Sequence, residues 1–415
     1  MNRLFPPDSL FRNRTFAFYW TGRVAAVMAY QMLAVGVGWQ VYSLTNSALD
    51  LGLIGLSQFL PSVVLVLVTG HVADRYDRRL IARMAQAVQM LAAAALAVGS
   101  LQGWITETAI FGAVFVIGGA RAFESAAMQA LLAAVVPRDK LPLAVASNAT
   151  ANQTAVIAGP ALGGLIYVAG PAVVYIVCAT LFALAVVLMS LIYLDHAPVQ
   201  REPTTLKTIF AGIAFIRSQP VMLGAISLDM VAVFLGGATA LLPIYARDIL
   251  HTGPWGLGLL RSATAVGALA MALWLSRYPL RGGIGRLMFR CVAIFGVATI
   301  VFGLSHVFVL SVVALFIMGA ADMVSVVIRL SLVQLATPDG MRGRVGAVNS
   351  MFIGASNQLG EFESGLTAAW FGPVAAVVIG GIGTILVVAV WMRLFPQLAR
   401  FDRLSSANAA VASER

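Results

Sequence analysis

The chain has 415 residues, of which 60% are hydrophobic and only 11% charged. A soluble globular protein carries about 25% charged residues, so this composition excludes an ordinary water-solvated domain and points to lipid as the main solvent. The formal net charge is +10, but its distribution argues against nucleic acid: 22 of the 27 Lys and Arg residues fall in the terminal tails, in the connections after even-numbered apolar stretches, or at the span edges that adjoin them. That asymmetry is the positive-inside pattern, which predicts an inner-membrane protein with both termini cytoplasmic and the basic excess facing anionic lipid.

The opening MNRLFPPDSLFRNRTF has no short apolar core followed by a small-residue cleavage site, so it does not read as a cleavable signal peptide. From there, apolar stretches long enough to cross a bilayer as helices recur, roughly twelve in all. They are predicted at 16–44, 51–70, 82–102, 108–136, 142–168, 171–194, 221–246, 255–276, 287–305, 308–335, 344–370 and 373–394. Residues 195–219 are the longest polar interruption. They begin with Pro198 and Pro203 and continue as TLKTIFAGIAFIR, an amphipathic pattern suited to a helix on the cytoplasmic face. The expected organisation is a six-helix bundle over 1–194, a linker over 195–219, a second bundle over 220–395 and a disordered cytoplasmic tail over 396–415. Cys178 and Cys291 fall inside separate spans and read as small core residues, with no disulfide or metal site expected.

The two halves repeat. A shift of 201 residues places Gly118 on Gly319, Pro137 on Pro338, Asn148 on Asn349, Gly159 on Gly360 and Gly164 on Gly365. A register kept through two spans and the turn between them implies parallel six-span halves related by an axis along the membrane normal, with a substrate path between them.

Charge inside the spans is sparse: Arg23, Arg121, Glu124, Asp229, Arg261, Asp322, Arg329, Glu361 and Glu363. Each costs about 3 kcal/mol at the bilayer centre unless it meets a partner or a wet cavity. Six of them lie in spans 1, 4, 7 and 10, the first helix of each three-helix unit if the halves are themselves built from such units. Arg121 and Glu124, three apart, share a helical face, as do Asp322 and Arg329, seven apart. Arg121 and Asp322 are repeat-equivalent and are expected to face each other across a polar cavity. A carboxylate there is a candidate proton carrier, in the order Glu124, Asp229, Asp322, with Arg23, Arg121 and Arg329 as the cationic partners; the alternative is a static network tying the halves together. Asn148, Asn152, Asn349, Asn357, Phe123 and Tyr30 are candidate substrate contacts, with inter-helix bonding and packing as the plainer roles.

The segment GHVADRYDRR resembles the signature loop of the major facilitator superfamily, with Gly70, Asp74, Arg75, Arg78 and Arg79 matching and Asp77 in place of the second glycine. RAFES at 121–125 is similar to the fourth-span Arg-x-x-Gln-Gly motif, and GPALGG, with Gly159, Pro160, Gly163 and Gly164, matches the core of the fifth-span Gly-Pro motif. The closing PDGMRGRVGAVNSMF and GEFESGLTAAWFG resemble the enterobactin-exporter-like branch. The resemblance covers nearly the whole chain. It implies an all-α membrane protein of twelve transmembrane helices in two pseudo-symmetric bundles. It also implies that spans 1, 4, 7 and 10 line the central cavity, that Asp74 acts at a cytoplasmic gate, and that the Gly-Pro helix belongs to an exporter. The expected function is proton-coupled export by a monomer of a small organic compound such as a siderophore or drug, without a cofactor. The alternatives are a facilitator or importer of a metabolite and a receptor or scaffold on a transporter fold. No Gly-x4-Gly-Lys phosphate loop occurs, and no nucleophile–base pair or metal cluster stands out, so an enzyme is the least supported class.

Overall fold

The computed structural model describes residues 10–192, 206–280 and 282–402. Among them the chain is almost wholly helical and no strand occurs. Helices α1 (Arg14–Thr45), α2 (Ala48–Arg75), α3 (Arg78–Gln102), α4 (Glu107–Val135), α5 (Leu141–Tyr167) and α6 (Pro171–Ser190) come first. They are followed by α7 (Leu206–Ser218), α8 (Pro220–Leu235), α9 (Leu242–Ile244), α10 (Gly253–Arg277), α11 (Ile284–Leu304), α12 (Phe308–Ala336), α13 (Asp339–Phe371), α14 (Pro373–Leu394) and the short α15 (Pro396–Arg400). Ten spans among the described residues are long and apolar enough to cross a membrane. Helices α5 and α13, with 27 and 33 residues, have the length but a more polar make-up.

Local chemistry sets the ends. Asn13 caps α1 by accepting from the Thr15 and Phe16 amides, and Asn46, at φ 50°, closes the same helix in the left-handed region. Thr106 caps α4, and prolines stand in the first turns of α6, α8 and α14, where the missing N–H costs nothing.

The chain divides into two compact units. One comprises 1–46, 57–204 and 253–262; the other comprises 47–56, 205–252 and 263–415. The first residues of α2 are thus part of the second unit, and the first residues of α10 part of the first. In the first unit, α3 packs on α4 and α6, while α1 packs on α5 and α6. In the second, α11 packs on α12 and α14, and α8 on α13 and α14, so the same pairing order recurs.

The 201-residue repeat reappears as matching close approaches. A Cβ at Gly118 would lie 2.6 Å from the Gln58 carbonyl oxygen on α2, and one at Gly319 would meet the Thr264 carbonyl on α10. Gly159 lets α5 approach Gln31 on α1, as Gly360 lets α13 approach Phe234 on α8. Gly164 lies on the backbone of Pro254 and Gly258, and Gly365 on that of Gly52. Small residues at these positions let helix backbones touch, which is how packing is gained where lipid supplies no hydrophobic drive.

Three expectations are corrected. The span expected over 221–246 is present as Pro220–Ile249 but is not one regular helix: α8 stops at Gly236, a 3-10 turn (Ala238–Leu241) follows, and the path continues through α9 into a π-turn over Tyr245–Ile249. Gly236 and Gly237 have no side chains to hold the apolar stripe, and the space is taken by Phe295 and by the Gly360 carbonyl, each 2.5 Å from where a Cβ would stand. Pro243 then enters without an N–H to continue the ladder. Second, the signature segment is largely helical: α2 runs to Arg75, leaving Tyr76 and Asp77 as the connection to α3. Third, the expected tail begins as structure. Leu398 is fully buried, the amide of Gly285 donates to the Phe401 carbonyl at 2.9 Å, and Gly283 N–H donates to the Asp402 carboxylate at 2.8 Å. The rest of that tail, and the linker up to 205, lie outside the described residues.

Helix α7 packs on α8 and α13, burying Ile216 in a cluster with Met222, Ile226, Val333, Val345 and Val348. Gly212 permits this approach, since a Cβ there would lie 3.0 Å from the Arg344 carbonyl oxygen.

Candidate functional site

In the first unit, Arg121 and Glu124 share α4 but turn to different neighbours. The Arg121 guanidinium lies over the Tyr30 ring of α1, 3.4 Å from its centroid, and the Tyr30 hydroxyl donates to Gln58 Oε1 at 2.7 Å. The Glu124 carboxylate instead accepts from Gln86 Nε2 at 3.1 Å and Gln89 Nε2 at 2.8 Å, both fully buried on α3. Gln86 and Gln89 were missed in the sequence; two amides three residues apart in an alanine-rich apolar span were the available signal. Neither Arg121 nor Arg23 has a carboxylate oxygen within 4.0 Å among the described residues. Arg23 lies beside Tyr19, and its Nε is buried without a partner among the described residues. A cation–π contact contributes about 0.5–2 kcal/mol. Holding an arginine within the membrane costs about 2.5–3.5 kcal/mol, so the Tyr30 ring offsets only part of that cost for Arg121.

The second unit has the opposite balance. Asp229 on α8 and Arg329 on α12 form a sealed ion pair, Nη1 to Oδ2 at 3.2 Å, with side chains 7% and 3% exposed. Arg329 also donates to Asn349 Oδ1 on α13 at 3.4 Å. Asp322, two turns before Arg329, adjoins both and lines a small cavity with Asp229 and Ser325, walled by Val292 and Phe295. Ser325 is 2% exposed and its hydroxyl has no partner among the described residues. One arginine therefore serves two carboxylates. Paired and hydrogen-bonded, such an ion can be tolerated; a surplus carboxylate beside it has no second cation to offset its burial.

The remaining expected contacts separate. Asn349 belongs to the Arg329 cluster. Asn148 keeps Oδ1 buried with no partner among the described residues, on α5 beside Ser147, whose carbonyl accepts from the Trp20 indole at 3.2 Å. Asn152 is half-buried, and exposed Asn357 donates back to its own helix at Ile353. Phe123 packs against the cluster of Phe16, Tyr19, Met128 and Leu131, as a core residue does. Gly159 and Gly163 seat α5 on α1 at Gln31 and Met32, while Pro160 and Gly164 seat it on Gly258 of α10.

At the signature segment, Gly70, Asp74 and Arg75 occupy the last turns of α2, and their surroundings lie outside the described residues. Arg78 and Arg79 open α3. Arg79 grips Asp77 through Nε and Nη2, at 3.1 Å and 2.7 Å, and donates from Nη1 to the Ile192 carbonyl. Asp77 stands where the resemblance calls for glycine, yet its φ of −60° suits any residue. Its carboxylate caps α3 by accepting from the Arg79 amide. The Arg79 guanidinium, with the capping amide, holds the Asp77 carboxyl below the usual carboxylate range.

A family model described as transmembrane secretion effector matches residues 6–413. The enterobactin exporter EntS of Citrobacter koseri is 28% identical over 392 residues, 93% of both chains. An Escherichia coli enterobactin exporter EntS is 25% identical over 394 residues, again 93% of each. Among solved structures, a POT family transporter in complex with 5-aminolevulinic acid has a TM-score of 0.75 at 12% identity, over 95% of this chain and 99% of that one. A bacterial homologue of the iron transporter ferroportin has a TM-score of 0.70 at 16% identity, over 94% and 100%. At those identities the likeness is one of fold.

Proposed function

From membership of the transmembrane secretion effector family of the major facilitator superfamily, to which the chain belongs, we propose that it exports a small organic or amphipathic compound, siderophore-like in class, in exchange for protons. That it is a multi-pass membrane transporter of a small molecule, and not an enzyme, follows from the family and the relatives. The finer reading is ours. It comprises twelve spans in two six-helix bundles, made up by α5 and α13 alongside the ten apolar spans, both termini cytoplasmic in the inner membrane, a monomer, and alternating access. Export is supported by relatives named as enterobactin exporters and by the Gly-Pro packing of α5.

The observation that carries the coupling is the arrangement of one arginine and two carboxylates on α8 and α12. Asp229 is the acid that Arg329 meets at ion-pair distance, so Asp322 is the one whose charge is less fully compensated. It becomes the first choice as proton carrier, ahead of Glu124, whose carboxylate already accepts two amide N–H bonds. A proton on Asp322 neutralises the surplus, and its loss restores the pull on Arg329. Alternation between the two states gives the cluster two arrangements that a transport cycle can bias.

The test is transport of enterobactin in proteoliposomes under an imposed pH gradient, with Glu124→Gln, Asp229→Asn and Asp322→Asn beside the parent. Gradient-driven accumulation in the parent and its loss in Asp322→Asn are expected. If none of the three changes the gradient dependence, coupling through these acids is wrong. Equilibration without any gradient would mark a facilitator.

A further inference from the structure

The charged groups on α1, α4, α8 and α12 are unevenly paired. In the second unit the carboxylates outnumber the arginine beside them; on α1 and α4 of the first unit, arginines lack carboxylates. Arg121 is half-buried, stacked on Tyr30 and without a carboxylate within 4.0 Å among the described residues. Arg23, seven residues before Tyr30 and so on the same face of α1, keeps a buried Nε with no partner among the described residues. Glu124, the acid nearest in sequence, is committed to the amides of Gln86 and Gln89.

We infer that Arg121 and Arg23 form the anion-binding part of the substrate site in the first unit, and that the transported molecule carries a carboxylate or an equivalent compact anionic group next to an aromatic or apolar body. Stacking on the Tyr30 ring fixes the plane of the Arg121 guanidinium and covers one of its faces. No hydrogen-bond or ion-pair partner of its edge N–H groups occurs among the described residues, and that planar fork matches a carboxylate in two parallel hydrogen bonds. The Tyr30 hydroxyl, bonded to Gln58, holds the ring and therefore the fork in place. A ligand anion supplies the counter-charge that the protein leaves out at these two arginines, and the uncompensated burial of Arg121 is then relieved only in the loaded state. This selects for charge, as a site with an unmatched ion does against neutral analogues.

The inference rests on the transporter reading, but its test needs neither a gradient nor translocation, so its failure is distinguishable from failure of proton-driven export. Equilibrium binding to the purified full chain in detergent is measured for benzoate, salicylate and phenyl phosphate, each against an uncharged counterpart (benzamide, salicylamide and phenol). At least one anion is expected to bind at least tenfold more tightly than its counterpart. Arg121→Gln is expected to abolish that preference and Arg121→Lys to keep it at reduced affinity. Arg121→Lys preserves the charge should the glutamine variant fail to fold. Equal affinity for anion and counterpart, absence of binding by all three anions, or a preference that survives in Arg121→Gln would overturn the inference.

Discussion

Replacing Arg329 by Met removes the positive charge of the buried cluster while keeping a side chain of similar length. Asp229 and Arg329 are 7% and 3% exposed and 3.2 Å apart, so the substitution strands a buried carboxylate, and Asn349 loses a charged donor. Removing one partner of such a pair costs about 3–5 kcal/mol. The reverse change, Asp229→Asn, is expected to be much milder, because Asp322 remains beside Arg329 as a counter-charge. The double variant Arg329→Met/Asp229→Asn is expected to recover about 2 kcal/mol of the single Arg329 loss, within the usual range for residues in contact. Unfolding in mixed micelles by titrated dodecyl sulfate, followed by tryptophan fluorescence, gives the four corners of the cycle. Equal costs for the two single variants, or a double variant equal to their sum, would refute the claim that one arginine serves two acids.

Asp322→Asn removes the surplus negative charge without touching the ion pair, so it is expected to leave stability unchanged or raised in the same assay while gradient-driven transport is lost. Gly164→Val and Gly365→Val each push a side chain into a facing backbone that cannot yield. Both are expected to cost about 1–3 kcal/mol or more and to reduce assembled protein in membranes, measured by fluorescence-detected size exclusion. Asp77 is held below its ordinary value of 3.8 chiefly by Arg79. Because its folded-state pKa is depressed, its contribution is full above that ordinary value and fades as pH falls through the depressed one. Protection of the Arg79 amide against hydrogen exchange is thus expected to exceed that in Asp77→Ala at neutral pH, and the difference to vanish in strong acid.

Much of the helical layout could be read from the sequence because lipid leaves few choices. Apolar runs of about 20 residues must be helices, and Asn13, Asn46, Thr106 and the prolines at 171, 220 and 373 mark ends by local chemistry. The repeat was readable for a similar reason: glycine is irreplaceable where backbones touch, so Gly118 and Gly319, or Gly164 and Gly365, stay in register. The break at Gly236–Gly237 was not readable, since glycine is common in membrane helices and only the approach of Phe295 and Gly360 makes these two decisive. Spacing placed Arg121 and Glu124 on one face, but an offset of about 60° between them, given 3.6 residues per turn, was enough to send one to α1 and the other to α3. By motif alone, Asp77 is a departure from a glycine. Its ordinary φ and its capping of α3 depend on backbone geometry that a motif does not record.

The most direct test of proton exchange is proton flux itself. Proteoliposomes loaded with pyranine at equal internal and external pH, then given enterobactin on one side only, are expected to show a proton movement opposite to the substrate, present in the parent and absent in Asp322→Asn. Substrate entry with no change in pyranine signal in the parent, or an unchanged signal in Asp322→Asn, would contradict the account.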